Sequence, residues 1–315
     1  MATLTPPGFR PATLGAPGAV PIPGQAAALP PARPTLVWLA SYPKSGNTWL
    51  RLFLANYLLD RTEPYPINQV HKMTFGDMLA EPYVKLAGKP AGALDAATIH
   101  RLKPRVHRLL STQGPDLILI KTHSALFVED GIPSITVPAT RATVYLVRNP
   151  FDVADSVAHH YGLSLDDAVS SLCSPGSELH GDGLRTLGQK IGAWGSHATR
   201  WADARPLKPL VLRYEDMLRA PFDAFSAVIR HLGVTHDAAR IQRAVGFASF
   251  EEARSQEDRF EFLERSLQAE KFFRVGRVGK GFESLDEGQR RRLIEANREA
   301  MRRFGYLDAD DRPVL

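Results

Sequence analysis

The sequence predicts an α/β fold, a single domain with a central parallel β-sheet flanked by helices. Three observations carry that prediction. Four short apolar runs, "TLVWLAS" (35–41), "DLILIKTH" (116–123), "ATVYLVRNP" (142–150) and "PLVLRYEDM" (209–217), are separated by segments of helical periodicity. The runs are continuously apolar rather than alternating, the pattern of strands buried on both faces. The first run enters a glycine-containing turn and leaves as a helix in "WLASYPKSGNTWLRLF" (38–53), the P-loop-like strand–turn–helix of nucleotide-binding folds.

Taken in chain order, the elements begin after residue 34. Residues 1–34 hold nine of the 24 prolines, mixed with Ala and Gly. Such a composition neither builds a helix nor buries a core, so a disordered tail is expected, with the folded domain spanning 35–310. Prolines interrupt every apolar run of the tail, which argues against a secretory signal. Residues 48–60 read as an amphipathic helix after the first strand. Pro150 is expected to stop the third strand, with a helix over "FDVADSVAHHYG" (151–162). Trp194, His197 and Trp201 fall at helical spacing and read as a packing stripe. In "DEGQRRRLIEANREAMRRFGY" (286–306), Leu293, Ala296, Ala300, Met301 and Phe304 form the apolar face of a last helix, leaving Arg290, Arg291 and Arg292 on its solvated face. Segments 61–115 and 162–190 read as irregular, and such excursions at the strand ends of a parallel sheet are where a second substrate is held.

Composition narrows the function classes. A charge of +5 and a pI near 9.3 suit anionic ligands, but the cations are scattered and do not form a nucleic-acid stripe. No run approaches the ~20 apolar residues of a membrane span. Cys173 is the only cysteine, so no internal disulfide forms and a reducing, cytoplasmic compartment is expected.

The first turn departs from a Walker loop, which reads GxxxxGK[ST]. Aligned on Gly46, Ser41 stands for the first Gly, Asn47 for the Lys, and Thr48 keeps the hydroxyl. Lys44 lies inside the loop instead. The turn and helix start still offer backbone N–H groups to an anion. At the end of the third strand, "VRNPFDVADS" places Arg148 at the strand edge and Ser156 two helical turns on, a guanidinium and a hydroxyl that can grip one phosphate. Two such motifs on neighbouring strand ends suit a ligand with two separate anionic groups.

"YPKSGNTW" together with "RNPFDVADS" resembles the sulfotransferases that use 3'-phosphoadenosine 5'-phosphosulfate (PAPS), and the resemblance runs from about Thr35 to Tyr306. Carried over position by position, it implies that Lys44, Ser45, Gly46, Asn47 and Thr48 hold the 5'-phosphosulfate and that Trp49 stacks on the adenine. It implies that Arg148 and Ser156 bind the 3'-phosphate, and that Tyr214 and Phe250 enclose the adenine. Arg274, Val275 and Gly276 in "FFRVGRVG" match the late phosphate motif, and "IKTHSALF" supplies Lys121 and His123 as the second lysine and the catalytic histidine. Val275 stands where that late motif usually has Lys, for which Arg277 or Lys280 is a candidate replacement. Lys280-Gly281-Phe282 also departs from the family run, leaving the conformation of the 275–282 lid open.

The implied reaction is in-line transfer of a sulfuryl group to a hydroxyl, or an amine, of a small-molecule acceptor, leaving 3',5'-ADP. His123 would take the acceptor proton, Lys44 would stabilise the leaving oxygen, and Lys121 would contact the sulfuryl oxygens. A sulfuryl group carries less negative charge than a phosphoryl group, so no metal is expected. The adjacent His159 and His160 diverge on a helix and make a poor chelate; surface positions are expected for them, with one facing an acceptor cavity as the alternative. Two rivals remain at this level. A phosphotransferase would bind Mg-ATP through Thr48 and Asp216, and a non-catalytic nucleotide-binding protein would share the fold without turnover. The oligomeric state is not readable from the chain.

Overall fold

The computed structural model of the protein describes residues 31–315. The tail expected over 1–34 lies outside the described residues except for its last four, and these are tied to the domain: Arg33 donates its N–H to Ser111 Oγ at 3.3 Å and pairs with Asp116. At the centre, five parallel strands run in the order β2 (Phe75–Gly76), β3 (Ile118–Thr122), β1 (Leu36–Ser41), β6 (Thr140–Val147), β9 (Leu210–Arg213). Two small hairpins lie outside this sheet, β4 (Val128–Glu129) with β5 (Ile132–Pro133), and β7 (Glu178–Leu179) with β8 (Gln189–Lys190).

Every residue of β1 is buried, and its side chains divide between two layers with the period of two that a strand imposes. On one face Trp38, Ile120 and Tyr145 pack with Trp194, Trp201 and Met301. On the other Leu39, Leu119 and Val144 pack with Phe53, Phe225 and Ile229. Trp38 also donates Nε1–H to Thr140 Oγ1 at 2.9 Å, tying β1 to its neighbour through side chains. The helices that cover the second face include α1 (Asn47–Leu58), α8 (Pro221–His231) and α9 (Ala238–Phe247). The first face is covered by α3 (Ala96–Gln113), α4 (Pro150–Tyr161), α5 (Leu165–Cys173), α6 (Trp194–Ala202) and α12 (Glu287–Arg303).

Several expectations are corrected here. The fourth strand ends at Arg213, and "YEDM" opens the helix α7 (Tyr214–Arg219), because Glu215 and Asp216 favour a helix N-terminus over a strand. Pro150 does more than stop a strand. It is the first residue of α4, capped by Asn149 Oδ1 accepting from Phe151 N at 3.1 Å. Segment 61–115 is not irregular, since it contains α2 (Ala80–Ala87) and the 18-residue α3. Pro104 inside α3 hides that helix from a pattern reading. Segment 162–190 likewise contains α5. In α12, Ala296 is exposed and Asn297 is buried in its place, accepting from Gly195 N at 2.8 Å. A capping box at Asp286 and Gln289 starts that helix. The Trp194, His197, Trp201 stripe is fully buried as expected.

Because Leu39 is fully buried between β3 and β6, Leu39→Ala should cost about 2–5 kcal/mol of stability. The check is a lower urea midpoint with an unchanged slope.

Candidate active site

All four long strands of the sheet end on one side, and each delivers a candidate residue there. The turn after β1 contains Lys44, with φ of 66°, and Gly46, with φ of 96°. Tyr214 fixes the choice of glycine, since a Cβ on Gly46 would lie 2.7 Å from Tyr214 Cδ2. No side chain caps α1, so its first N–H groups are left for a ligand, as at an anion-binding helix start. Asn47 braces the turn from below, donating Nδ2–H to Leu39 O at 2.9 Å and to Ser41 Oγ at 3.3 Å. Its side chain therefore serves the strand, and its backbone N–H remains for an anion. Ser45 is fully buried and off the cavity wall, with an unpartnered Oγ.

A single cavity of about 810 Å³ collects Lys44, Gly46, Asn47, Thr48, Trp49, Lys121, His123, Arg148, Ser156, Tyr214, Phe250, Arg274, Val275 and Gly276 in its wall. That size holds a nucleotide and leaves room beside it, since ligand sites run to roughly 300–1,000 Å³. Trp49 meets Tyr214 edge-on at 5.9 Å and leaves its indole N–H unpartnered. Arg148 lies over the Tyr214 ring at 4.4 Å, donates to Lys44 O at 3.1 Å and keeps its Nε–H unpartnered. These unsatisfied donors, the uncapped helix start and the cations form a set that an anionic nucleotide would complete.

The lid is ordered against α4. Asp152, four residues past Arg148, accepts from Gly279 N at 3.0 Å and Gly281 N at 2.7 Å. Gly281 sits so close to Phe151 O that a Cβ would fall 2.0 Å from it, which explains why this departure from the family run keeps a glycine. Arg274 pairs with Asp155, and Gly276, with φ of 64°, lies under the Phe250 ring. Of the two candidates to replace the cation missing at Val275, Lys280 lines the cavity. Arg277 does not, because its guanidinium is held by Glu283 at 2.9 and 2.6 Å.

At the end of β3, His123 Nδ1–H donates to Ser41 O at 2.9 Å, which leaves Nε2 as the free lone pair of the cavity-lining ring. His197 Nε2–H donates to His123 O at 3.1 Å. Burial, then the charge of Lys121, lowers the His123 pKa to about 3, so the imidazole is neutral. Burial, then Arg148 and Lys121, lowers Lys44 to about 7, and its ammonium rests 3.7 Å above the Phe272 ring. Burial also lowers Lys121. His159 and His160 are not surface residues. Both line the cavity, His159 bonded to Lys271 O at 3.0 Å and His160 lowered to about 3 by burial and by Lys44.

The model of the family described as "Sulfotransferase domain" matches residues 34–305. The chain belongs to the sulfotransferase domain family. A mouse protein, sulfotransferase 1B1, is 26% identical over 216 residues, 68% of this chain and 63% of its own length, just under two thirds. Dog sulfotransferase 1A1 is 26% identical over 228 residues, 71% of this chain and 68% of its own. Among solved structures, retinol dehydratase in complex with androsterone and the inactive cofactor PAP has a TM-score of 0.55 at 21% identity, covering 86% of this chain and 82% of that one. Mouse sulfotransferase SULT7A1 complexed with PAP has a TM-score of 0.55 at 20% identity, covering 86% of each chain. At these identities the solved structures establish the fold, a single sulfotransferase-type domain around the parallel sheet.

Several residues at this sulfotransferase site were not singled out from sequence. Arg51 and Glu264 form a two-armed pair beside Thr48; Asp155 holds Arg274, and Phe272 carries Lys44. Asp152 and Asp155 lie inside the quoted "RNPFDVADS", where spacing from Arg148 could have flagged them. Nothing local marks Glu264. Gly46→Ala should lower the affinity for 3',5'-ADP at least tenfold and also lower the melting temperature, because the added methyl sits at a φ of 96° and meets the buried Tyr214 ring. Calorimetric titration together with a thermal melt checks both parts.

Proposed function

We propose that this sulfotransferase-family protein moves the sulfuryl group of PAPS to the hydroxyl of a small, largely apolar acceptor and releases 3',5'-ADP. The observation that carries this reading is convergence: Lys44, Lys121, His123 and Arg148 leave three adjacent parallel strands and line one cavity. In the reaction, the bond from sulfur to the 5'-phosphate oxygen breaks as a bond forms from the acceptor oxygen to sulfur. His123 Nε2 receives the acceptor proton. Lys44 offsets the charge that develops on the departing phosphate oxygen, and Lys121 faces the sulfuryl oxygens. Trp49, Tyr214 and Phe250 provide the aromatic walls for adenine, with Arg148, Ser156 and Arg274 at its 3'-phosphate.

The cavity wall also carries the apolar Val157, Tyr161, Leu163, Leu179, Leu187 and Ile191, interspersed with Ser171, Ser177, Glu178, His180, Thr186 and Gln189. Leu163, Leu179 and Leu187 and all six of those polar residues come from segment 162–190, which supports its expected role; segment 61–115 contributes nothing to the wall. A largely apolar alcohol fits the apolar part of this wall, and the androsterone and retinol bound in related retinol dehydratase structures are compounds of that kind. The Mg-ATP reading loses its ligands. Thr48 Oγ1 accepts from Arg51 at 3.0 Å, Asp216 faces solvent beside Arg219, and Glu215 is taken by Asn149 N and Tyr306 O–H at 2.9 Å each. No helix among the described residues is long and apolar enough to cross a membrane, and the single cysteine supports the cytoplasm as the working compartment.

His123→Ala should reduce kcat roughly 10²–10⁴-fold and leave 3',5'-ADP affinity within a few-fold of the parent. Mass detection of the sulfated product across an acceptor panel, with calorimetry beside it, checks this, and parental turnover in the variant would remove His123 from the mechanism. A second outcome follows from Lys44, whose pKa is lowered to about 7. The free lysine loses its proton as pH rises through that value, and the anion needs the ammonium. Affinity for 3',5'-ADP should therefore fall as pH rises through about 7, with net proton uptake on binding at pH ~8. Calorimetry in buffers of different ionisation enthalpy measures both.

A further inference from the structure

We propose that Glu264 is a positioning residue whose carboxylate, fixed by Arg51, holds the Lys121 ammonium at the reaction end of the cavity until an anionic sulfuryl donor takes its place. The inference rests on the proposed reaction for its purpose, but its geometry stands independently. Glu264 belongs to the irregular stretch between α10 (Phe250–Phe260) and the late phosphate motif. Its flanking leucines, Leu263 and Leu267, are 73% and 95% exposed, whereas Glu264 turns inward and lines the cavity. Asn68 pins this stretch by donating to Glu261 O at 2.7 Å and accepting from Leu263 N at 2.8 Å.

Inside, the carboxylate meets Arg51 with two hydrogen bonds, Nη1 to Oε1 at 2.8 Å and Nη2 to Oε2 at 2.5 Å. Arg51 is itself 1% exposed and also donates to Thr48 Oγ1 at 3.0 Å. The Lys121 ammonium stands 3.8 Å from the same Oε2. The Arg51 guanidinium therefore joins the first turn of α1 to this strap, and the Glu264 carboxylate joins the strap to the second lysine. A two-armed pair of this kind fixes the carboxylate in direction as well as position.

The charges around this point explain why an acid is needed. Lys44, Arg51 and Lys121 are cations, His123 and His160 are neutral, and Arg148 adds a further cation beside Lys44. Glu257, the other nearby acid, has its two oxygens occupied by the N–H groups of Phe272 and Phe273 at 2.7 and 2.9 Å. Glu264 is thus the carboxylate that Lys121 faces directly. Arg51 and Lys121 keep it well below the usual carboxylate range. It raises Lys121 against burial and Arg51, and raises Lys44 to a lesser degree. An incoming donor brings its own negative charge to Lys121, so the lysine can leave Glu264 without becoming an uncompensated buried cation.

The test compares the parent, Glu264→Gln and Glu264→Asp by carbon-13 NMR titration of labelled lysine side chains in nucleotide-free protein. An opposite charge within about 4–6 Å moves a pKa by roughly 1–3 units. The Lys121 titration should fall by about one pH unit in Glu264→Gln and stay near the parental value in Glu264→Asp. The alkaline limb of kcat/KM for PAPS, to which Lys44 and Lys121 both contribute, should shift to lower pH in Glu264→Gln because the acid raises both lysines, while kcat moves less because the bound donor replaces the missing charge. An unmoved Lys121 titration in Glu264→Gln overturns the inference, even if activity falls, since a brace for the strap alone would leave that titration in place. Absence of PAPS turnover in the parent would instead overturn the proposed function and leave the NMR result to stand by itself.

Discussion

Crowding of like charge in a poorly hydrated cavity is the constraint on which the rest of the site depends. Lys44 lies within Coulombic reach of Arg148 and Lys121, and both push its pKa down after burial has done so. Left to themselves, such groups would swing apart or lose protons. The fold prevents the first by mounting each on the end of a different parallel strand, where the backbone has no freedom to retreat. It limits the second with acids set among the cations. Asp152 lies 3.9 Å from Arg148, Asp155 pairs with Arg274, and Glu264 pairs with Arg51 and Lys121. Residual positive charge in the cavity is then relieved by a polyanion, so the affinity for such a ligand is built into the strain of its absence.

Holding His123 in place takes a second network, hidden behind the sheet. Asp77 grips the residues on either side of the histidine. Its backbone N–H donates to Lys121 O at 2.9 Å, and its Oδ2 accepts from Thr122 Oγ1 at 3.1 Å and Ser124 Oγ at 2.9 Å. Lys103 and His107 stand 3.3 Å from its two oxygens, so the buried acid is compensated and well below its ordinary range. Trp201 Nε1–H then takes Ser124 O at 3.0 Å, beside the bond from His197 to His123 O. With each carbonyl from Lys121 through Ser124 confined by strand pairing or a side-chain donor, the imidazole has one direction in which to point. Pre-set direction of this kind supplies much of what a catalytic base contributes.

How much of this was legible in the chain depends on how local each signal is. The apolar runs at 35–41, 116–123 and 142–150 are read correctly because burial on both faces leaves an unbroken hydrophobic record. Lys44, Gly46 and Arg148 stand out because turns and strand ends impose short spacings, whereas His123 is marked only by the family resemblance. The strand–helix junction at Tyr214 is misread, because an apolar run of that length does not mark where pairing stops. The helix α3 is hidden by its own Pro104. Glu264 and Asp77 are invisible for a different reason. Each acts on partners far away in sequence, Arg51 in one case and Lys103, His107 and Ser124 in the other, and nothing local to a lone acid marks it as buried. Long-range compensation is a property of the packed chain and has no period.

Electrostatics also orders the proposed reaction. Burial, then Lys121 and to a smaller extent Arg51, lowers the His123 pKa to about 3 even with Glu264 beside both cations. A base so depressed would take a proton poorly from an alcohol. In the proposed reaction the nucleotide brings negative charge to Lys44 and Lys121, which offsets the cationic part of that lowering and leaves the larger part, from burial, in place. Arrival of the donor and the proton affinity of the base are thereby coupled in direction. In this reading Lys121 links the two events. It passes from Glu264 to the donor, and in doing so reports to His123, two residues along the same strand end, that the cavity is charged for transfer.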